Sequence, residues 1–144
     1  MELLREEVPV PGKSGAAHIL IVEDHEPTIS AMAALLRSRL EPLRSVGGSL
    51  IVKTLPDAES ALRLITHSPP DVVVMDISLP GMNGIEATRR LREIAPSVPV
   101  IINSRSDTDV YRAMAAAAGV RAFISKQHTA RDLVPAILSI LHDA

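Results

Sequence analysis

A chain of 144 residues, 47% of them apolar, has the length and composition of one globular domain, and the absence of Cys excludes disulfides, thiol nucleophiles and thiolate metal sites. Aromatic residues make up only 1% of the chain, so we expect an aliphatic core. The formal net charge of −2 lacks the basic excess typical of nucleic-acid-binding domains, so we expect this domain itself to bind no nucleic acid.

The amino-terminal stretch "MELLREEVPVPGKSGAA" contains the Pro and Gly residues typical of a flexible segment. We expect residues 1–16 to form a tail and residues 17–144 to form one domain. The tail carries acids where a secretion signal carries basic residues, and no apolar run approaches the roughly 20 residues that span a bilayer. These features predict a cytoplasmic protein with no membrane partner.

Short apolar segments bounded by turn residues predict five β-strands. Because they are apolar throughout rather than alternating, they are typical of parallel strands that helices cover on both faces. In chain order the segments are "HILIV" (18–22), "SLIVKT" (49–54), "DVVVM" (71–75), "VPVIIN" (98–103) and "RAFIS" (121–125).

The stretches between these strands have the three-and-four spacing of amphipathic helices. The first helix follows Pro27, and Asp57 can cap the second. Asn83 and Glu86 form a capping box for the third helix, whose apolar stripe includes Ile94. These signals predict helices after each of the first three strands.

The fourth helix is predicted from about Asp107 to Ala118, where Gly119 closes it, and the fifth is predicted to open with a capping box of Thr129 and Asp132. Five strands alternating with five helices predict a doubly wound α/β domain with a five-stranded parallel sheet.

Polar residues follow the ends of these strands, where ligands bind in such folds. Glu23 and Asp24 follow the first strand, Asp76 the third, Ser104 the fourth and Lys126 the fifth. Three carboxylates at one edge would repel one another without a cation. Oxygen ligands of this kind match Mg²⁺ better than a transition metal, so the sequence predicts a magnesium site.

A carboxylate beside Mg²⁺, a hydroxyl and an ammonium group is a plausible phosphoryl acceptor, which explains an acid directly after the apolar run "VVVM". Taken singly, each residue has a plainer interpretation: Asp71 and Asp76 as ordinary strand-end acids, Ser104 as a loop residue, and Lys126 as a solvated charge. Their joint placement at strand ends favours a site.

Over about residues 17–142 the chain resembles the receiver domain of two-component response regulators, which has the flavodoxin-like fold also described as CheY-like. The resemblance rests on four segments: "ILIVEDHEP" with the acidic pair, "VVVMDISLPGMNGIEA" with the phosphoacceptor, "VIINS" with the switch hydroxyl, and "GVRAFISK" with an aromatic residue before lysine.

The resemblance implies that Asp76 is the phosphoacceptor. It also implies that Glu23, Asp24, Asp76 and the backbone carbonyl of Ser78 hold Mg²⁺. The metal would then be the cofactor of phosphoryl transfer to Asp76.

By the same resemblance, Ser104 would hydrogen-bond the phosphoryl group, Lys126 would pair with it, and Phe123 would move with Ser104 as a switch. Arg105 departs from the pattern, since many receivers have a small residue directly after the switch hydroxyl. The stretch over residues 41–49 is also longer than usual and predicts an exposed loop around Gly47 and Gly48.

The implied partner is a sensor histidine kinase or a phosphotransfer protein. The resemblance also implies that the chain can form a homodimer on phosphorylation. The closing segment "FISKQHTARDLVPAILSIL" is most similar to receivers that precede a LuxR-type, or NarL-type, DNA-binding output domain. The expected function is a phosphorylation-activated switch that controls transcription, not an enzyme, although it would assist its own phosphorylation and dephosphorylation.

Two alternatives remain open. A degenerate or stand-alone receiver would keep the fold as an interaction or dimerisation module, against which the complete set of acids, hydroxyl and lysine argues. A phosphatase-like hydrolase would use Asp76 as its nucleophile, but such enzymes usually carry a second Asp two residues later, where this chain has Ser78.

Overall fold

The computed structural model describes residues 15–43 and 48–143, and within these ranges five parallel strands alternate with five α-helices. The strands are β1 (Ala16–Val22), β2 (Ser49–Leu55), β3 (Val72–Met75), β4 (Val100–Ser104) and β5 (Ala122–Ser125). The helices are α1 (Glu26–Leu40), α2 (Ala58–His67), α3 (Gly84–Ile94), α4 (Asp109–Ala118) and α5 (Thr129–Asp143). This arrangement confirms the predicted doubly wound α/β fold.

Two sequence predictions fall partly on residues outside the described ranges. β1 begins at Ala16, one residue before the expected start of the domain, and residues 1–14 of the expected tail are not described. Of the expected loop over residues 41–49, a 3-10 turn occupies Glu41–Leu43 and β2 begins at Ser49, while residues 44–47 are not described.

The strand order in the sheet is β2-β1-β3-β4-β5, so the chain changes direction across the sheet between β1 and β3. Val22 at the end of β1 lies opposite Met75 at the end of β3. Every residue of β3 and β4 is buried, as their continuous apolar runs predict for strands covered on both faces. The residues that follow β1 and β3 therefore meet at one edge of a rigid sheet.

The two faces of the sheet pack against different helices, as a doubly wound fold requires. One face packs against α2, α3 and α4 through Ala61, Ile65, Leu91 and Ala115, among others. The other packs against α1 and α5 through Leu36, Leu40, Leu133 and Ile137, among others. Within the described ranges, no helix is both long and apolar enough to cross a membrane.

The predicted caps of the second and third helices are present. The Asp57 side chain accepts a hydrogen bond from the backbone N–H of Ser60, and Asn83 Oδ1 accepts from the N–H groups of Ile85 and Glu86. The Glu86 side chain instead contacts arginines of its own helix, so only half of the predicted capping box forms.

Two predictions about helix packing and capping were wrong. Ile94 is 52% exposed because it lies in the last turn of α3, beyond the part that covers the sheet. Thr129 does not open a capping box with Asp132, because a 3-10 turn over Lys126–His128 precedes α5 and Ser125 caps that turn. The Thr129 hydroxyl instead donates to the backbone carbonyl of Lys126, and Asp132 pairs with Arg131.

Candidate functional site

Parallel pairing brings the residues after β1, β3 and β5 to one edge of the sheet. The backbone N–H of Asp76 donates to the carbonyl of Val22 at 3.1 Å. Glu23, directly after β1, and Asp76, directly after β3, therefore lie side by side. Ser104 lies opposite Ser125, and Lys126 comes directly after that pair. The strand ends that the sequence identified therefore converge.

A cavity of about 400 Å³ lies at this edge of the sheet. All the residues predicted to hold the metal line this cavity, and so does the predicted lysine. Its full lining is Glu23, Asp24, His25, Asp76, Ser78, Arg105, Ser106 and Lys126. The cavity is thus an acidic site with cationic groups at its wall.

The Lys126 ammonium group is shared unequally between two buried acids. Its Nζ lies 2.6 Å from Glu23 Oε1 and 3.5 Å from Asp76 Oδ2. The side chain of Glu23 is 3% exposed, and its other oxygen accepts the backbone N–H of His25 at 3.2 Å. Because an unpaired buried carboxylate is costly, the lysine is the counter-ion that stabilises Glu23 in this position.

Burial raises the pKa of Asp76 above the ordinary value of an aspartate, and the nearby Glu23 carboxylate raises it further. Lys126 and a hydrogen bond from the backbone N–H of Ser78 act in the opposite direction but do not cancel the rise in pKa. Among the described residues, the single positive charge of Lys126 lies beside the carboxylates of Glu23, Asp24 and Asp76 and cannot neutralise all three.

The acidic side chains fit a hard divalent cation. Glu23, Asp24 and Asp76 each offer one carboxylate oxygen, and these three oxygens lie within 4.8 Å of one another. The set contains no sulfur or imidazole ligand, and oxygen ligands are those that Mg²⁺ prefers. Such a cation would neutralise the surplus negative charge and would bind through the oxygen ligands that it prefers.

The remaining predicted residues lie outside the cavity. Ser104 is 1% exposed, and its Oγ accepts the backbone N–H of Ser106 at 3.0 Å, so it lies directly behind the wall that Ser106 forms. Phe123 is half-buried on the edge strand β5, and the guanidinium carbon of Arg112 lies 4.6 Å from the centre of its ring. In the contact with Ser106 the Ser104 oxygen is the acceptor, so its own O–H is not used there.

Sequence reasoning missed a polar link behind this site. The side-chain amide of Asn103, 2% exposed, donates to the carbonyl of Ile124 at 3.2 Å and to the Thr129 hydroxyl at 3.0 Å. It thus ties β4 to β5 and to the start of α5. A polar residue inside the apolar run "VIINS" is the signal that could have indicated it, because a buried amide needs partners.

The raised pKa of Asp76 predicts a pH-dependent difference between the wild type and Asp76→Asn. The folded chain holds the Asp76 proton at pH values where the unfolded chain has released it, so the associated stability is full below the unfolded pKa and is lost as pH rises through the folded pKa. We expect the free energy of unfolding of Asp76→Asn to rise relative to that of the wild type as pH increases from about 4 to 7.

Urea unfolding at a series of pH values without divalent cations measures this difference. Parallel pH profiles for the wild type and Asp76→Asn would contradict the prediction.

Comparison with known proteins identifies the family. The sequence model described as "Response regulator receiver domain" matches residues 19–138. The sensory transduction protein RegX3 of Mycolicibacterium smegmatis is 32% identical over 123 residues, which cover 85% of this chain and 50% of that protein. The chain thus spans about half the length of the curated relatives it matches.

Two solved structures are similar over most of the chain. A LuxR-family two-component response regulator from Aurantimonas sp. SI85-9A1 has a TM-score of 0.78 and 32% identity, covering 89% of this chain and 86% of that one. The receiver domain of the sensor histidine kinase PA1611 of Pseudomonas aeruginosa PAO1, described with a magnesium ion coordinated in its active-site cleft, has a TM-score of 0.73 and 25% identity, covering 88% and 98%.

Receiver domains bind Mg²⁺ at an acidic site and interact with histidine kinases or phosphotransfer proteins, and in general they are signalling switches rather than enzymes. The family match covers most of the chain, the relatives are response regulators of two-component systems, and the similar structures include the LuxR type. The chain therefore belongs to the family of response regulator receiver domains.

Proposed function

We propose that this chain is a phosphorylation-activated switch in which Asp76 accepts a phosphoryl group from a sensor histidine kinase or a phosphotransfer protein. The observation that carries the proposal is the cavity in which Glu23, Asp24, Asp76 and Lys126 meet. The Asp76 carboxylate, buried but in the wall of that cavity, is suited to act as a nucleophile, and its neighbours are suited to stabilise the charge that it would receive.

Glu23, Asp24, Asp76 and the backbone carbonyl of Ser78 are the proposed Mg²⁺ ligands. The close approach of three carboxylate oxygens supports the first three, and the position of Ser78 in the cavity wall supports the fourth. When bound, the metal would neutralise phosphoryl oxygens during transfer.

In the proposed reaction, a carboxylate oxygen of Asp76 forms a bond to phosphorus while the bond from phosphorus to the donor's histidine nitrogen breaks. The electron pair of the broken bond stays on the imidazole. Lys126, 3.5 Å from Asp76 Oδ2, is placed to pair with the incoming phosphoryl oxygens. Ser104 would turn its hydroxyl from Ser106 towards them, and hydrolysis assisted by the same residues would reset the switch.

The output would pass through α4 and β5. Val110 is 68% exposed and Met114 is 39% exposed on α4, and Arg112 of the same helix lies over the ring of the half-buried Phe123 of β5. Movement of Ser104 and Phe123 on phosphorylation would alter this apolar surface. A second copy of the chain, or a LuxR-type transcriptional output domain, is the proposed partner there. A stand-alone interaction module would use the same surface without phosphorylation.

The proposal predicts phosphorylation of the wild-type chain, but not of Asp76→Asn, by acetyl phosphate with Mg²⁺. Intact-mass measurement should show the addition of one phosphoryl group to the wild type and a loss of at least about a hundredfold in rate for the variant, because the amide is not a nucleophile of this kind. Chelation of Mg²⁺ should slow labelling of the wild type in the same way.

Asp71→Asn is the matched control, since Asp71 precedes the same strand and its carboxylate accepts the backbone N–H of His18 outside the cavity. It should be labelled as fast as the wild type. Equal labelling of Asp76→Asn would refute the acceptor role, and absence of labelling in every protein would favour the stand-alone interaction module.

A further inference from the structure

Arg105 is a cationic side chain that the proposed reaction leaves without a role. It is the first residue after β4, it is exposed, and it lines the acidic cavity. It also lines a groove of about 590 Å³ between α1 and the start of α5, where Lys126 again forms part of the wall. Arg105 therefore stands where the cavity opens to the surface.

The guanidinium group of Arg105 makes no hydrogen bond or ion pair with any described residue, whereas Lys126 is paired with Glu23 at 2.6 Å. The imidazole of His25, another lining residue, lies with its Nδ1 2.7 Å from the Thr28 hydroxyl. Of the described residues in the cavity wall, Arg105 is thus the cation that holds no partner.

The charge of the proposed site supplies the reason for such a cation. The three carboxylates would be balanced by Lys126 together with a bound divalent metal ion. A phosphoryl group carries about two negative charges, and its attachment to Asp76 replaces one carboxylate charge, so the occupied site gains about one uncompensated negative charge. One further cation at the opening restores the balance, and a guanidinium group binds phosphoryl oxygens with two parallel donors.

We propose that Arg105 binds the phosphoryl group, first on the donor and then on Asp76, and so is a positioning residue of the reaction. This inference rests on the proposed function of Asp76. Arg105 would increase the affinity for the anionic donor without contributing to Mg²⁺ binding, since a cation in the wall repels the metal. Loss of Arg105 should therefore weaken binding of the anionic donor and not of Mg²⁺, whereas a general change in the shape of the cavity would weaken both.

The test compares the intact wild-type chain with Arg105→Ala, Arg105→Lys and Arg105→Glu. The affinity for beryllofluoride, a mimic of the phosphoryl group on a carboxylate, is measured with saturating Mg²⁺, and Mg²⁺ affinity is measured alone by calorimetry. Initial rates of labelling by acetyl phosphate give the dependence on donor concentration. Arg37→Glu, an exposed site in the last turn of α1, is the control for net charge.

For Arg105→Ala we expect roughly tenfold weaker beryllofluoride binding and a roughly tenfold higher half-saturating donor concentration, with Mg²⁺ affinity equal to or above that of the wild type. Arg105→Lys should retain part of the beryllofluoride affinity, Arg105→Glu should lose more affinity than Arg105→Ala, and Arg37→Glu should match the wild type. Unchanged beryllofluoride binding in Arg105→Ala, or a parallel loss of Mg²⁺ affinity, would overturn the role of Arg105 alone. Failure of the wild type to bind beryllofluoride would overturn it together with the proposed function.

Discussion

Replacing Lys126 with alanine is expected to lower the free energy of unfolding by about 3 kcal/mol when no divalent cation is present. The Nζ of Lys126 lies 2.6 Å from a carboxylate oxygen of Glu23, whose side chain is 3% exposed. Without the ammonium group, Glu23 keeps one backbone hydrogen bond and faces the carboxylates of Asp24 and Asp76. The cost is that of a buried charge left without its partner, not of a surface ion pair.

Urea unfolding of Lys126→Ala, Glu23→Gln and the double variant separates this cost from lost packing. If the pair is responsible, Lys126→Ala should cost at least about 1 kcal/mol less in the Glu23→Gln background than in the wild type. Lys53→Ala, at an exposed position of β2, is the control and should change stability by no more than about 0.5 kcal/mol. Additive effects of the two substitutions would contradict the prediction.

Mg²⁺ provides a second check on the same residue. If the carboxylates bind the metal as proposed, its positive charge can replace the missing ammonium group, so Mg²⁺ should stabilise Lys126→Ala more than it stabilises the wild type. The wild type must instead share Glu23 between the lysine and the metal. An equal gain in both proteins would indicate that Lys126 and Mg²⁺ do not compete for the same acids.

The sequence was sufficient for the sheet and for the acidic half of the site because both depend on local patterns. An apolar run such as "VVVM" predicts a covered parallel strand, and parallel strands end at a common edge. Asp76 follows that run directly, and Glu23 follows the matching run of β1. Their proximity is therefore a consequence of register that needs no knowledge of the loops.

Features that depend on loops could not be predicted in the same way. The 3-10 turn over Lys126–His128 made Ser125, rather than Thr129, the capping residue, although both positions carry a suitable hydroxyl. The Ser104 hydroxyl accepts the backbone N–H of Ser106, two residues later, which is a loop contact that the sequence did not indicate. Short polar side chains have several local partners, and the backbone path of the loop decides among them.

The sequence also did not indicate the close packing of Gly84 at this site. It is the first residue of α3, and a Cβ atom built on it would lie 2.1 Å from the backbone oxygen of Asp76 and 3.0 Å from Met75 Cγ. The start of α3 thus packs directly on the backbone of the proposed phosphoacceptor. Nothing in the stretch "LPGMNG" distinguishes this packing from a turn requirement, because the contact is made across eight residues of chain.

Replacing Gly84 with alanine is expected to lower the free energy of unfolding by about 3 kcal/mol and to slow labelling of Asp76 by acetyl phosphate at least tenfold. Backbone atoms cannot turn aside as a side chain can, so either α3 moves away from the sheet or the Asp76 backbone shifts out of position. The measurements are urea unfolding, and labelling rates under conditions where circular dichroism shows that the variant is folded.

Gly81→Ala provides the comparison, since it adds the same methyl group in the loop just before α3. Its φ of +76° is unfavourable for alanine, but the atoms nearest to the added Cβ, at 3.3 Å and beyond, would be those of the Glu59 carboxylate, which can rotate away. The cost should be about 1 kcal/mol, with little change in labelling. If Gly84→Ala were as stable and as readily labelled as Gly81→Ala, close packing of α3 on Asp76 would not be what holds the acceptor in place. A greater loss of both stability and labelling rate in Gly84→Ala than in Gly81→Ala would show that Gly84 allows α3 to hold the backbone of Asp76 in position.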